Sequence, residues 1–258
     1  MIRLTFLLRR KPGMSLDEFQ RYWLNEHGPL LASHANHLAM QRCMQVWTLP
    51  DENDRFTGTR GTMESPYDGV TEIWWENMAA LTDALATEAG RKAIDEIVAH
   101  ERGFVDHPVS PLWFGYEYPQ VNAAPETLIA RERSSIVKFY YPLRHLSQLS
   151  FDDAQLYWRT QHGPVIRSQA TAGRVLRYIQ VHRFETPLED AWRAARGTVT
   201  ETYTGHAELW FDRSSFGPMP TDDSQRATSR AEDDERNFID FSRSAMWFAK
   251  ERVVVDRA

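Results

Sequence analysis

Apolar runs, capped helical patterns and polar gaps follow one another along this chain in one order, and then in the same order again. Residues 2–8 form a β-branched and apolar run, as do residues 136–141. A helix start follows each. Ser15-Leu16-Asp17-Glu18 is a capping box whose serine and glutamate satisfy the first free N–H groups of a helix, and Ser150-Phe151-Asp152-Asp153 is its counterpart. Leu16, Phe19 and Trp23 fall on one helical face, as do Phe151, Ala154 and Trp158. Gly28-Pro29 and Gly163-Pro164 then interrupt the helices, and the chain resumes in a short second helical piece. Strands are predicted over 41–47, 70–75 and 112–117 in the first half, and over 177–183, 206–211 and 246–255 in the second. Helical patterns cover 79–104 and 225–241. Long polar stretches at 50–68 and 186–204 have the length of lids or mobile segments, with Trp192 as an apolar lid contact.

The matched order is a sequence repeat. Tyr22-Trp23-Leu24-Asn25-Glu26-His27-Gly28-Pro29 returns as Tyr157-Trp158-Arg159-Thr160-Gln161-His162-Gly163-Pro164, identical at five of eight positions. Arg60-Gly61-Thr62 returns as Arg196-Gly197-Thr198, and Glu101-Arg102 as Glu235-Arg236, at offsets of 134–136 residues. A period this long is a duplicated domain, because stacked-repeat arrays use units of about 20–50 residues. The expected division is a first domain at 1–118, a linker at 119–135 and a second domain at 136–258, with an unmatched insertion at 214–224. The order β-α-β-β-α-β is the ferredoxin-like split unit, with helices on one face of a four-stranded sheet. Two such sheets facing each other predict an α+β fold: tandem ferredoxin-like domains forming an intramolecular, pseudo-dimeric α+β barrel.

Composition narrows the function classes. A net charge of −6 without a Lys/Arg cluster argues against nucleic acid as a partner. The single Cys43 excludes an internal disulfide and a cysteine-based zinc cage. No apolar run reaches the ~20 residues of a membrane span, and the expected setting is cytoplasmic. Nine Trp, nine Tyr and thirteen Phe are more rings than a plain core needs, which points weakly to a pocket for a flat apolar or aromatic molecule.

The Tyr-Trp-x-x-x-His-Gly-Pro pattern after a first strand and a capped helix resembles the EthD family of dimeric α+β barrel proteins. Both halves carry it, so one chain here stands for a family dimer. The resemblance implies the barrel fold but leaves activity open, since barrels of this kind include cofactor-free monooxygenases, polyketide cyclases, lactone isomerases, dehydratases and haem enzymes. A closed internal pairing of this sort is compatible with a monomer or with a homodimer through outer surfaces.

Strand periodicity nominates the chemistry. Ile179 and Val181, and likewise Ala207, Leu209 and Phe211, are expected under the helices. That leaves Tyr178, Gln180 and His182, and His206, Glu208 and Trp210, facing the barrel interior with Lys138 and Tyr140. First-half equivalents are less reactive: Cys43, Gln45 and Trp47; Val70, Glu72 and Trp74; Leu4 and Phe6. The working pocket is therefore expected in the second half. His162, His182, His206, Glu208 and Tyr178 are the catalytic candidates, with one histidine paired to Glu208 as general base and Tyr178 or Tyr140 bonding an oxyanion. Tyr140, Gln180, Trp210, Trp158, Trp192 and His27 are the substrate-binding candidates. The bland alternatives are a helix-end role for His27 and His162, a structural carboxylate at Glu208, whose twin is Glu72, and core roles for the twinned tryptophans. Arg60 and Arg196 read as loop anchors, and the Glu-Arg pairs as helix-packing features. His182, His206 and Glu208 also fit a two-His, one-carboxylate metal site, but without a close-spaced histidine pair the expectation is no metal. Neither a dinucleotide fingerprint nor a nucleophile elbow is present, and no cofactor is expected. The function expected is a cofactor-independent enzyme acting by general acid/base chemistry on a mid-sized apolar or aromatic metabolite, of lyase, isomerase, dehydratase or cyclase type. The alternatives are a cofactor-free monooxygenase of a phenolic substrate and a non-catalytic small-molecule binding protein.

Overall fold

The strands of each half follow the predicted order, and the second half adds a helix between its second and third strands. The computed structural model describes residues 1–50, 60–122, 128–216 and 221–257. The first half runs β1 (Ile2–Leu8), α1 (Leu16–Tyr22), α2 (Gly28–His34), β2 (Arg42–Thr48), β3 (Gly69–Trp75), α3 (Met78–Ala86), α4 (Glu88–Glu101) and β4 (Leu112–Asn122). The second runs β5 (Ile136–Leu143), α5 (Phe151–Tyr157), α6 (Gly163–Gln169), β6 (Arg177–Phe184), α7 (Pro187–Arg196), β7 (Gly205–Asp212), α8 (Asp222–Glu235) and β8 (Trp247–Asp256). Strand β4 continues to Asn122, past the boundary expected at 118.

Ser15 and Ser150 cap α1 and α5 through the N–H groups of Glu18 and Asp153. Both helices pass into π-helical turns, Trp23–His27 and Trp158–His162. Pro29 and Pro164 have no N–H for an α-helical ladder, and the wider turn lets Gly28 and Gly163 donate to the Trp23 and Trp158 carbonyls instead. Gln45 and Gln180 reach up from the sheet to those same carbonyls, at 2.7 and 2.9 Å. Glycine leaves room for that approach, since a Cβ on Gly28 or Gly163 would lie a tight 3.3 Å from the glutamine Nε2.

The strands close an antiparallel barrel in the order β1-β3-β2-β8-β5-β7-β6-β4. Its halves join along two seams, β4 with β6 and β2 with β8. Closure within one chain pairs every strand of the barrel on both edges, the arrangement that removes free edges. Helices cover the outside, over one apolar core around Phe19, Trp23 and Trp75 and another around Trp158, Phe238 and Phe248.

The 186–204 stretch is not an open loop. Thr186 caps α7, Pro187 occupies its first turn, and Gly197 ends it at φ 66°. Trp192 is a core residue of the first half, 5.4 Å from the Phe114 ring and 6.2 Å from that of Trp75. Residues 51–59 of the other expected lid lie outside the described residues.

Candidate active site

The predicted site residues divide between the two faces of the sheet. His206, Glu208, Trp210, Lys138 and Tyr140 point into the barrel, as expected. Tyr178, Gln180 and His182 do not: they face the helices, while Ile179 and Val181 pack inside the barrel against Trp210. Strand β6 is covered on both faces, so the rule that puts apolar side chains under helices has no solvent side to work against. Tyr178, Gln180 and His182 are all at most 4% exposed. The single pocket expected around His162, His182, His206, Glu208 and Tyr178 is therefore not formed.

Inside the barrel lies an ion-pair network. Arg3 bonds Glu72, Glu208 and Glu117, and Lys138 lies 3.2 Å from Glu72, 2.7 Å from Glu208 and 3.1 Å from Glu251. Trp74 and Trp210 donate to Glu117 and Glu251. The network is nearly two-fold: Arg3 matches Lys138, Glu72 matches Glu208, and Glu117 matches Glu251. Sequence reasoning pairs Leu4 and Phe6 with Lys138 and Tyr140; the register instead sets Arg3 against Trp74 as it sets Lys138 against Trp210, one residue away. Burial raises the Glu72 carboxyl more than Arg3 and Lys138 lower it. At Glu208 those cations, with the bond from His206, outweigh burial and hold the carboxyl below the usual carboxylate range. His206 sits 3.3 Å from Glu208, the predicted pairing, but it is sealed, and burial depresses its pKa to about 3. Glu72, His206 and Glu208 bring ligand atoms within 4.8 Å of one another. The Arg3 guanidinium, bonded to both carboxylates and 3.1 Å from His206 Nε2, supplies the positive charge at that position.

A cavity of about 710 Å³ lies on the other side of the sheet, between the second-half strands and α6, α8 and the second π turn. Phe139, Leu209, Phe211 and Phe248 form its floor, with Trp158, Ile166 and Ala227 opposite. Polar groups line the rest, among them Gln169, Arg174, Gln225, Thr228 and Glu235. His162 lines the cavity, and its Nδ1 lies 2.7 Å from an Asp234 carboxylate oxygen. Burial alone would raise the Asp234 carboxyl, but bonds from His162 and Tyr157 lower it. A carboxylate at Nδ1 fixes the proton there and leaves Nε2 as the basic nitrogen. Tyr178 also lines the cavity, where its hydroxyl accepts from Trp158 Nε1 at 3.1 Å and Gln180 Nε2 at 3.0 Å. Gln180 and His182 stand behind it. The His182 ring stacks on Trp158 at 4.4 Å and bonds Gln180, and burial lowers its pKa to about 3.

Matching positions in the first half are not equipped this way. His27 faces His100, at 3.1 Å, where His162 faces Asp234, and burial pulls the His27 pKa to about 4. Cys43 stands for Tyr178 and leaves Trp23 Nε1 unpartnered. Trp192, Trp75 and Leu81 pack this half's sheet–helix layer. Asp234 and Tyr141 are not singled out by the sequence reading, although the change from His100 to Asp234 within the repeat marks the first.

Two clasps tie the halves together. Arg196 of the second half grips Glu101 of the first at 2.8 and 3.0 Å, and Arg60 of the first grips Glu235 of the second at 2.7 and 3.0 Å. Arg60 thereby reaches the second-half cavity, and Tyr141 lines the same wall. The Tyr141 hydroxyl is buried next to the clasp, and burial, with Glu235 beside it, raises its pKa against the pull of Arg60.

A closed barrel from two split βαββαβ units, with a ligand-sized cavity under the helices of one unit, defines a dimeric α+β barrel folded within a single chain. The family model of the EthD domain matches residues 11–108 and 146–242, and the chain belongs to the EthD family. Among solved structures it is similar to an anthrone oxidase-like protein, at 10% identity and a TM-score of 0.61, over 100% of this chain and 94% of that one. It is also similar to a dye-decolorizing peroxidase from Bacteroides thetaiotaomicron VPI-5482, at 10% identity and a TM-score of 0.49, over 96% of this chain and 92% of that one. No curated protein matches in sequence. Among the described residues, no helix is long and apolar enough to cross a membrane.

Proposed function

We propose that this chain is a cofactor-independent oxygenase of flat, electron-rich aromatic molecules, with His162 as its general base. The observation that carries the reading is the His162–Asp234 pair at the wall of a cavity of about 710 Å³ with an aromatic floor, large enough for a molecule of three fused rings. The likeness to an anthrone oxidase-like protein supports an oxygenase over the lyase and isomerase types expected from sequence.

His162 Nε2 takes a proton from a methylene activated by neighbouring rings and a carbonyl, or from a phenol. Asp234 stabilises the imidazolium that forms. The substrate anion reduces dissolved oxygen by one electron, and the radical pair combines into a peroxide. Loss of water from the peroxide leaves a ketone, so that CH₂ and O₂ become C=O and H₂O. His162 gives its proton to the outer peroxide oxygen, then takes the remaining proton from that carbon as the O–O bond breaks, and the departing hydroxide collects it as water.

Anthrone supplied under ¹⁸O₂ tests the reaction type. The reading expects one labelled ketone oxygen per turnover and one O₂ consumed. Turnover that continues under nitrogen, with exchange of the methylene protons and no label, would point back to isomerase or lyase chemistry.

A further inference from the structure

We infer that Arg174, on the edge of the second-half cavity, binds an anionic group of the ligand, so that the molecules this site selects are aromatic acids. The inference rests on that cavity being the ligand site, as proposed above, and not on the chemistry at His162.

The case comes from one turn that the two halves share. After α2, the amides of Leu38, Ala39 and Met40 bond the carbonyls of His34, Asn36 and Ala35. After α6, those of Gly173, Arg174 and Val175 bond Gln169, Thr171 and Ala170 in the same way, all six bonds at 2.8–3.2 Å. Ala39 and Arg174 both take the left-handed conformation, at φ 52° and 54°. The backbone is the same and the side chains are not. Leu38 is fully buried in the first-half core. Gly173 stands in its place and lines the cavity. Its own φ is not left-handed, so the turn does not ask for glycine there; the position that would favour glycine is the next one, which holds Arg174. Where the first half has an apolar plug and a methyl group, the second has open space and a guanidinium.

The other charges around the cavity are matched. Arg60 and Glu235 hold each other, and His162 faces Asp234. Arg174 lines the cavity, is exposed, and makes no hydrogen bond or ion pair with any described residue. Gln169 and Gln225 bring amide groups to the same cavity. A carboxylate fits this edge, because the planar fork of a guanidinium meets both of its oxygens in parallel. Pinned there, a ligand can lay its rings over the floor of Phe139, Leu209, Phe211 and Phe248. On a chain of net charge −6 the overall field repels an anion, so selecting one falls to a local cation.

Calorimetry on the full chain with 2-naphthoate and its neutral carboxamide tests this at neutral pH without turnover. Wild type is expected to prefer the naphthoate by about tenfold, the worth of one exposed charge-assisted bond, and added salt should shrink that preference. Arg174→Ala copies Ala39, which the same turn accommodates, and should abolish the preference. Arg174→Lys keeps the charge without the fork and should restore part of it. No preference in wild type, or one that survives in Arg174→Ala, would overturn the inference. Binding of neither probe would overturn it too, and would count against the cavity as an aromatic site. A preference surviving in Arg174→Ala beside an inactive His162→Gln would leave only the oxygenase reading. A preference abolished beside a fully active His162→Gln would leave only the anion subsite.

Discussion

His162 and His206 show how differently two histidines from one half can be used. Both have a carboxylate neighbour, but His162 borders a cavity and His206 is locked among Arg3, Glu208 and the Tyr140 ring, stacked at 4.6 Å. Sequence periodicity identifies His206 and Glu208 as barrel-facing, and nothing in it distinguishes a ligand pocket from a filled ion-pair network. Asp234→Asn is expected to lower turnover by about 10²-fold or more, because the imidazole loses the partner that sets its tautomer; oxygen uptake measures this. His206→Val, which copies Val70 of the first half, is expected to leave turnover within about twofold. Its effect belongs to stability. With a folded pKa of about 3 against about 6.5 unfolded, His206 takes up its proton only on unfolding. It therefore lowers stability progressively as pH falls below ~6.5, and His27 and His182, depressed to about 4 and about 3, act the same way. Replacing His206 should flatten the fall in unfolding free energy between pH 6.5 and pH 4 by up to ~1.4 kcal/mol per pH unit, read from urea titrations.

At the scale of elements, every strand and most helices are legible in the sequence, because capping boxes, Gly-Pro breaks and apolar runs act locally. Orientation is less so. β7 reads correctly, since Ala207, Leu209 and Phe211 contrast with His206 and Glu208. β6 does not, because Tyr178 and Gln180 satisfy their polar atoms with Trp158 and with each other beneath the helix layer. The α7 helix has its own markers in Thr186, Pro187 and Gly197, but a polar stretch between two strands reads as a loop. Its inner face is a packing surface. Trp192→Ala is accordingly expected to cost about 3–5 kcal/mol of stability, seen as a lower denaturant midpoint, without the selective loss of ligand closure that a lid would show.

For the whole molecule, duplication supplies a closed barrel within one chain and frees one half to diverge. The ion pairs of the barrel are kept nearly two-fold, as are the clasps Arg196–Glu101 and Arg60–Glu235, which marks them as parts of the shared architecture. Departures from symmetry gather at the second-half cavity: Asp234 for His100, Tyr178 for Cys43, Tyr141 for Phe6. The bias toward the second half is legible in the repeat itself, while the location of the cavity outside the barrel depends on side-chain directions that no alignment of the halves supplies. The central claim is that only the second half is chemically competent, through His162. Its most direct test is oxygen uptake with anthrone by His162→Gln and His27→Gln, each checked for an unchanged melting temperature. The account expects a loss of about 10²-fold or more for His162→Gln and near-wild-type turnover for His27→Gln. Equal losses in both variants, or activity retained in His162→Gln, would contradict it.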